Sequence, residues 1–547
     1  ILLSLVGSEM CIRDSIAIDT GICYNYYMID YLIFNIPKMD LRAPSIALGL
    51  LKATTEADGL SSRCYDLNID LWRKLQPLGY GHWWSYNDWT WVSEKGIKDN
   101  WHILEPHVIE CIEENIVKYQ PRVVGMSVFS IFQYFPIENI SKIIRERLPN
   151  TKIHIGGPGV SIRNQVQCEE WFGKLKESNS IDDWMFGESE FILTDYINGK
   201  SGPGINNWET DPRTKQLRLI KPNYEDVDFD LYPKKHLQYD NNTPGPNGWV
   251  YMTGSRGCVR KCTFCDVESL WPIFKSKTGK FIAEEMIDNY EKYGIDKFRF
   301  TDSLLNGNLH ILEEKCQTLY KNGYTRSNKK KLEWHGQYIC RNKKQQSPEF
   351  YDLMSETGLG LVSIGIESGS EKVRYDMKKK FDNDSLRYTL EQCQRVDIKV
   401  VPLLMVGYPT ETEEDFKETL DLLEYISKLD NIIDINLNNP TRILPGSPLG
   451  NDPGHFGVEY SQLISDKDFT ASWWYKDNDY ATRIERFYRF HHKMIEVGLP
   501  KSYAGDDSDK YMQDYIKLRN NPEMVKIMKE VHNLSLIHIS EPTRLSR

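Results

Sequence analysis

The sequence predicts an α/β protein made of a doubly wound parallel domain, a partial (βα)6 barrel and a helical tail. Three observations predict it. Apolar, strand-like runs alternate with helical periodicity twice, over residues 28–200 and again over 249–450. The stretch between them, 201–248, is rich in Gly, Pro, Asn and Asp and has little periodicity, as expected of a linker. Several strand candidates are continuously apolar rather than alternating, the pattern of parallel strands covered on both faces.

In the first region the strand candidates are 31–37 (ended by Pro37), 62–67, 123–128, 152–157 and 185–190. Helical spacing fills 44–57, 105–119 and 137–148, the last stopped by Pro149, and resumes after 190 as far as about 198. In the second region the strand candidates are 249–254, 297–301, 332–338, 361–367, 398–407 and 432–438, with helices such as 282–293 and 413–429 between them. Six such units fall short of the eight of a closed barrel. Residues 451–533, aromatic and charged, are predicted to form a helical C-terminal region.

The two ends stand apart from this pattern. A back-translation of residues 7–15, taken as its reverse complement, encodes residues 534–542. Two ends of one gene have no physical reason to be related in this way. Residues 1–15 and 534–547 are therefore read as translated sequencing adapter and set aside, with Met28 as the expected start. About 520 residues remain, too many for one core and enough for two or three domains. A hydrophobic content of 40% with 27% charged residues suits a globular protein. The net charge of −10 argues against a general grip on nucleic acid. No run of about 18 apolar residues is present, so no membrane span is expected. Eleven cysteines, one in the adapter-like start, lack the density of a disulfide scaffold. The expected compartment is a reducing cytoplasm.

Chemistry concentrates in Gly257-Cys258-Val-Arg-Lys-Cys262-Thr-Phe-Cys265, directly after the first strand candidate of the second region. Thiolates suit iron–sulfur clusters, zinc or copper(I). Three cysteines in so short a loop can hold three irons of a [4Fe–4S] cube and leave the fourth open. A structural zinc site wants four protein ligands, usually as two pairs. Cys316, Cys340 and Cys393 are isolated and supply no second pair.

The Cys-x3-Cys-x2-Cys spacing, with Phe264 before the last cysteine, resembles the signature of the radical SAM superfamily. The lead-in Thr253-Gly-Ser-Arg-Gly257 is similar to that of its cobalamin-binding-domain subfamily. The resemblance covers about 28–450. It implies a partial TIM-type barrel with Cys258, Cys262 and Cys265 as cluster ligands. It also implies S-adenosylmethionine chelated at the open iron and cleaved by one electron to a 5′-deoxyadenosyl radical. Carried over residue by residue, it assigns Phe264, Asp302, Ser303, Glu367, Ser368 and Gly407 to the S-adenosylmethionine pocket, with Glu367 on the ribose hydroxyls. The family's usual glycine–glycine–glutamate triplet is absent at the second strand, where Phe298-Arg-Phe-Thr-Asp302-Ser303 stands. Asp302 and Asn306 are expected to face the barrel mouth, with a helix cap as the alternative for Asp302 and also for Glu367. Leu444-Pro-Gly-Ser-Pro-Leu449 resembles the subfamily's closing loop.

The first region resembles the Rossmann-like, cobalamin-binding fold of the same subfamily in Asp66-Leu-Asn68, Val123-Val-Gly-Met-Ser127, Gly156-Gly-Pro-Gly159 and Gly187-Glu-Ser-Glu190. No Asp-x-His-x-x-Gly occurs, so cobalamin is a candidate cofactor without a motif-supported histidine ligand, and a scaffold domain is the alternative. His154, within a strand, is read as a core histidine. The aromatic stretch 82–91 is read as a surface insertion, with a lid as the alternative. The runs 329–331 and 378–380, all lysine, are read as solvated helix ends.

The expected function is that of a radical SAM enzyme. With cobalamin, methyl transfer to an unactivated carbon or to phosphorus is favoured. Without it, cyclisation, rearrangement or tRNA methylthiolation are the alternatives. A non-enzymatic iron–sulfur or zinc sensor is a further alternative. The expected partners are a small-molecule or peptide substrate and an electron donor such as flavodoxin or ferredoxin, and no nucleic acid or membrane.

Overall fold

The computed structural model describes residues 28–85, 88–162, 165–233, 249–437, 440–460 and 473–499. The adapter-like ends, the end of the expected linker and the stretches 461–472 and 500–533 of the expected helical region lie outside the described residues.

The first sheet contains β1 (Tyr31–Asn35), β2 (Ser62–Tyr65), β3 (Val123–Ser127), β4 (Lys152–Gly156) and β5 (Asp183–Trp184), all parallel, in the order β2-β1-β3-β4-β5. Its central strands β1 and β3 are buried at every position because both faces are covered. Leu32 and Phe34 of β1 pack on one side with Val124, Met126, Ile153 and Ile155. Tyr31 and Ile33 pack on the other with Val123, Met185 and Leu193. The winding reverses between β1 and β3, which leaves a crevice beyond their carboxyl ends.

The second sheet contains β6 (Trp249–Met252), β9 (Lys297–Phe300), β10 (Glu333–Tyr338), β11 (Leu359–Glu367) and β12 (Lys399–Leu404). These are also parallel, and spatial order follows chain order. Between β6 and β9 lies a short antiparallel pair, β7 (Ser255–Arg256) and β8 (Lys275–Ser276). Val250, Phe298, Trp334, Val362 and Val400 form the centre of one core with the surrounding helices. The mixed α/β architecture of two parallel sheets agrees with the expected fold class.

Several elements differ from expectation. Residues 185–190 are not a strand: β5 ends at Trp184, Met185 makes one antiparallel bridge to Ile205, and the helix Ser189–Ile197 begins at once. Of the strand expected over 432–438, the described residues 432–437 make parallel bridges from Ile432 to Val400 and from Asn436 to Leu403, and 438 lies outside the described residues. The helix expected over 105–119 runs Glu94–Asn115 and carries Pro106 inside it. Two helices not anticipated, Leu67–Leu75 and Gln165–Glu177, also pack on the first sheet.

The described part of the linker packs on both regions. Val227 touches the cores of both sheets, and Tyr224 lies so close to Gly49 that a Cβ there would sit 2.5 Å from its ring. The helix Tyr480–Glu496 closes the far side of the second sheet through Phe490 and Met494. Among the described residues no helix is long and apolar enough to cross a membrane.

Candidate functional site

The three cysteines sit on one excursion of chain between β7 and β8. Gly257 makes the turn into it with φ +79°, and a Cβ there would meet the Ile273 carbonyl oxygen at 2.8 Å. Only glycine satisfies both conditions without strain. The neck of the excursion is held by charge. Arg256 pairs with Glu188 and Glu190, and Lys275 pairs with Glu188, all at low exposure. Burial opposes the Arg256 charge, but Glu190 and Glu188 overcome it and its pKa is raised. Both glutamates follow β5, so the first region grips the second immediately before the first cysteine.

The excursion is docked on the ends of the second sheet by Thr263, which is 1% exposed. Its N–H donates to the Met377 carbonyl at 3.2 Å, its carbonyl accepts from the Leu449 N–H at 2.8 Å, and its hydroxyl lies 2.7 Å from that of Tyr408. Leu449 ends the segment expected to close the site, and Tyr408 adjoins Gly407. Phe264 packs beside Val373, Met377, Tyr408 and Trp473.

Cys262 is buried, while Cys258 and Cys265 are partly exposed. Burial pushes the Cys262 thiol up to about 11, a shift opposed by Lys379 and reinforced by Cys265, Glu367 and Cys258. Burial likewise raises the Cys265 thiol, with Asp266 and Cys258 adding to it. Among the described residues no group of three or more His, Cys, Asp or Glu is arranged to hold a single metal ion. The donor set is three soft sulfurs on one short loop, which fits a cube with one iron left open.

Glu367 ends β11 with φ +68°, beside a register shift against β12. It forms a buried ion pair with Lys379, Nζ to Oε1 2.9 Å. Lys379 also lies 5.9 Å from the centre of the Phe264 ring. Burial opposes its charge, and Glu367 with Cys262 raises its pKa in spite of that. Lys379 is the middle of a run expected to be solvated. Lys378 and Lys380 are exposed, as expected, but Lys379 is not.

The other expected pocket residues are placed differently. Asp302 does not face an open mouth. It is 5% exposed and accepts hydrogen bonds from the Gly254 N–H (2.8 Å) and the Ser255 hydroxyl (2.6 Å), bracing the lead-in to the cysteines. Burial pushes its carboxyl up to about 6 against those two bonds. Neither mouth residue nor helix cap describes it. Asn306 is fully buried and makes paired bonds to the Ile339 backbone. Ser303 is half-buried. Ser368 is fully buried, 3.3 Å from the Thr419 hydroxyl, and accepts from the Ser370 N–H. Gly407 has φ +79° and is covered by Arg483, whose side chain a Cβ would meet at 2.4 Å. Its N–H donates to Glu411 at 2.7 Å, and its carbonyl accepts from Asn478 at 3.3 Å.

Beyond the carboxyl ends of the first sheet lies a half-open cavity of about 760 Å3. Gly156, Gly157 and Gly187 of the strand ends line it, with Ala47 and Leu50 of the helix Ile46–Ala57. Its opposite wall is Ser269, Leu270, Trp271 and Ile273, the second half of the cysteine-bearing excursion. Gly187 has open space where a Cβ would be, and Gly156 has only ordinary contacts, so the glycines leave a shallow cradle. Its size and largely apolar lining suit an organic cofactor. His154 is in the wall but is 2% exposed, with Nε2 3.2 Å from the Tyr31 hydroxyl, and burial lowers it to about 4. It is placed as a neutral core histidine. In the aromatic stretch, Trp83, Trp84 and Trp91 are buried in the first region's core and Trp89 is exposed.

A three-cysteine loop docked on a sequentially ordered parallel sheet defines an α/β protein with an iron–sulfur type of donor set. Residues 252–423 match the radical SAM superfamily, so the chain carries a radical SAM domain. A Methanocaldococcus jannaschii protein named as a methylthiotransferase is 25% identical over 302 residues, 52% of this chain and 60% of that one. The chain spans about half the length of the curated relatives it matches, 60%, 46% and 46% for three of them. Among solved structures, the radical S-adenosylmethionine methyltransferase TsrM of Kitasatospora setae matches with a TM-score of 0.57 at 16% identity, covering 85% of this chain and 89% of that one. The cobalamin-dependent enzyme OxsB, with aqua-cobalamin and S-adenosylmethionine bound, matches with a TM-score of 0.57 at 14% identity, covering 92% and 71%. These two likenesses show the fold.

Proposed function

We propose that this chain is a radical SAM enzyme that uses a cobalamin held in the first region's cavity to transfer a methyl group. The observation that carries the proposal is the shared wall. One excursion carries Cys258, Cys262 and Cys265 and, a few residues later, lines the 760 Å3 cavity with Leu270, Trp271 and Ile273. A ligand in that cavity and a cluster on that loop are therefore neighbours. TsrM, of similar fold, has been solved with cobalamin and a [4Fe–4S] cluster bound.

In this reading Cys258, Cys262 and Cys265 would hold the cluster, whose chemistry would be one-electron reductive cleavage of S-adenosylmethionine. Cobalamin supplies a transferable methyl group. Phe264 covers the cluster side of the loop. The Glu367 oxygen not bonded to Lys379 accepts from the ribose hydroxyls. Gly407 provides the bare backbone of the adenine side, with Arg483 behind it. Asp302 and Ser368 act at one remove, by holding the lead-in and the β11 turn. The substrate is a small molecule or peptide, the reductant a flavodoxin- or ferredoxin-type protein, and the compartment the cytoplasm.

The relative named as a methylthiotransferase favours a second reading, sulfur insertion. That chemistry calls for a second set of sulfur donors in the first region. Cys64, Cys111 and Cys168 lie buried on β2 and on the helices Glu94–Asn115 and Gln165–Glu177, each within a separate element. Methyl transfer is the better supported.

Anaerobic reconstitution with iron and sulfide, followed by dithionite and S-adenosylmethionine, tests the core of the proposal. The parent protein is expected to form 5′-deoxyadenosine, and each Cys→Ala change to lose bound iron and product to background. A fully loaded parent that yields none would sink the radical SAM reading. Titration with hydroxocobalamin, followed by absorption, tests the cavity. No binding would return the first region to a scaffold role.

A further inference from the structure

Lys379 is buried for reasons built into the backbone. Lys378 and Lys380, on either side, both take left-handed conformations, with φ of 59° and 58°. Such conformations are unfavourable for a non-glycine residue. Here they turn the middle lysine inward while its neighbours remain at the surface. The Lys379 N–H is tied to the Arg374 carbonyl at 2.9 Å. Space for the ammonium group is provided by a glycine. A Cβ on Gly365 would stand 2.7 Å from Lys379 Nζ and 2.8 Å from Glu367 Oε1. Gly365 has no positive φ, so its missing side chain is explained by the ion pair rather than by the backbone.

Two strained lysines, a strained Glu367 and a glycine vacancy are an elaborate means of burying one cation. A surface salt bridge would need none of them and would contribute little. Glu367 Oε1 accepts one of the three N–H donors. The remaining surroundings include the ring of Phe264, the residue before Cys265 on the cysteine excursion. A buried cation beside sulfur ligands favours whichever state of a cluster carries more negative charge, and it is little screened by salt.

We infer that Lys379 is a positioning residue for electron uptake, holding a fixed positive charge between Glu367 and the Phe264 ring of the cysteine loop so that the bound cluster is easier to reduce. The inference rests on the cluster reading given above. The step is the transfer of one electron from an external low-potential donor to the cluster. No proton moves and no bond is made or broken, and Lys379 stays protonated throughout. Glu367 partly neutralises that charge, so removing Glu367 and removing Lys379 should have opposite effects. A lysine that only packed against Glu367 would show no such pair of signs.

The test uses the full chain reconstituted with iron and sulfide, without S-adenosylmethionine. The cluster is titrated against dithionite and followed by paramagnetic resonance, with iron content measured alongside. Lys379→Met is expected to lower the reduced-to-oxidised ratio at the parent's midpoint about tenfold, equivalent to about 59 mV for one electron. Lys379→Arg should return to within about twofold of the parent. Glu367→Gln should shift the ratio in the reducible direction. If Lys379→Met retains no iron, the sign for Glu367→Gln decides: a rise supports the inference and no shift overturns it. A parent that holds a cluster, with all variants within twofold of it, overturns the inference alone. A parent that holds no cluster overturns the cluster reading and this inference together.

Discussion

The two parallel sheets are alike in strand number, yet their carboxyl ends are furnished in opposite ways. The first sheet reverses its winding between β1 and β3 and opens a cavity of about 760 Å3 lined by glycine and apolar side chains. The histidine in its wall, His154, is neutral and stacked on Tyr31. The second sheet keeps chain order, so successive strand ends fall along one arc, and those ends carry the thiols and the Glu367–Lys379 ion pair. Winding order thus separates the tasks: a crevice that can hold a large ligand, and an arc on which several loops meet one reacting group. The excursion between β7 and β8 belongs to the second sheet but is the wall of the first sheet's cavity, and it joins the two.

That junction is where the largest effect on stability is expected. Arg256 is buried with Glu188 and Glu190, and Lys275 reinforces Glu188. Arg256→Met would leave Glu190 buried without its cation, a loss on the order of 3–5 kcal/mol. Urea unfolding followed by tryptophan fluorescence should show a lower midpoint and a split into two transitions as the regions uncouple. An unchanged midpoint would mean that the junction is held by the apolar contacts of Tyr224 and Val227 instead.

The regions should also differ in their response to pH. Burial pushes Glu411, beneath the end of β12, up to about 7, although Arg486 and the Gly407 N–H favour its charge. The folded protein then keeps that proton to about pH 7, whereas the unfolded chain releases it near the ordinary glutamate value. Between those limits the native state binds more protons, and its stability falls as pH rises, by up to about 3 kcal/mol. His154 in the first region, lowered to about 4, stays neutral over the same range. Urea denaturation between pH 5 and 8 should show the decline in the parent and lose it in Glu411→Gln. A decline that survives the substitution would assign it to another group.

The sequence made some of this legible and not the rest, for local reasons. The cysteine loop was readable because spacing and residue type suffice to recognise a donor set. The central strands β1 and β3 were readable because they are largely apolar and buried at every position. Side-chain direction was not. Asp302 follows the end of β9, as expected, but only the fold shows that it turns back onto Gly254 and Ser255. Residues 185–190 have a strand-like opening, yet Gly187, at φ +85°, breaks the chain into a turn before the helix. Lys379 left no signal at all, because three consecutive lysines look solvated unless the left-handed residues on each side are known. The grip of Arg256 on Glu188 and Glu190 joins segments more than sixty residues apart, which periodicity cannot reveal.

The smallest expected effect sharpens the division of tasks most directly. Ala47 stands on the first turn of the helix Ile46–Ala57, half-buried and facing the cavity. Ala47→Phe would fill part of the space without touching the junction or the thiols. Overpacking of this kind costs about 1–3 kcal/mol where the displaced space was needed. Affinity for hydroxocobalamin should therefore fall about tenfold or more, by about 1.4 kcal/mol per factor of ten. Iron content after reconstitution should match the parent, because no cysteine and no residue docking the excursion has changed. If iron is lost together with cobalamin affinity, cavity and cluster loop form one cooperative unit and the contrast between the sheets fails. If neither changes, the ligand lies elsewhere and the crevice of the first sheet is not its site.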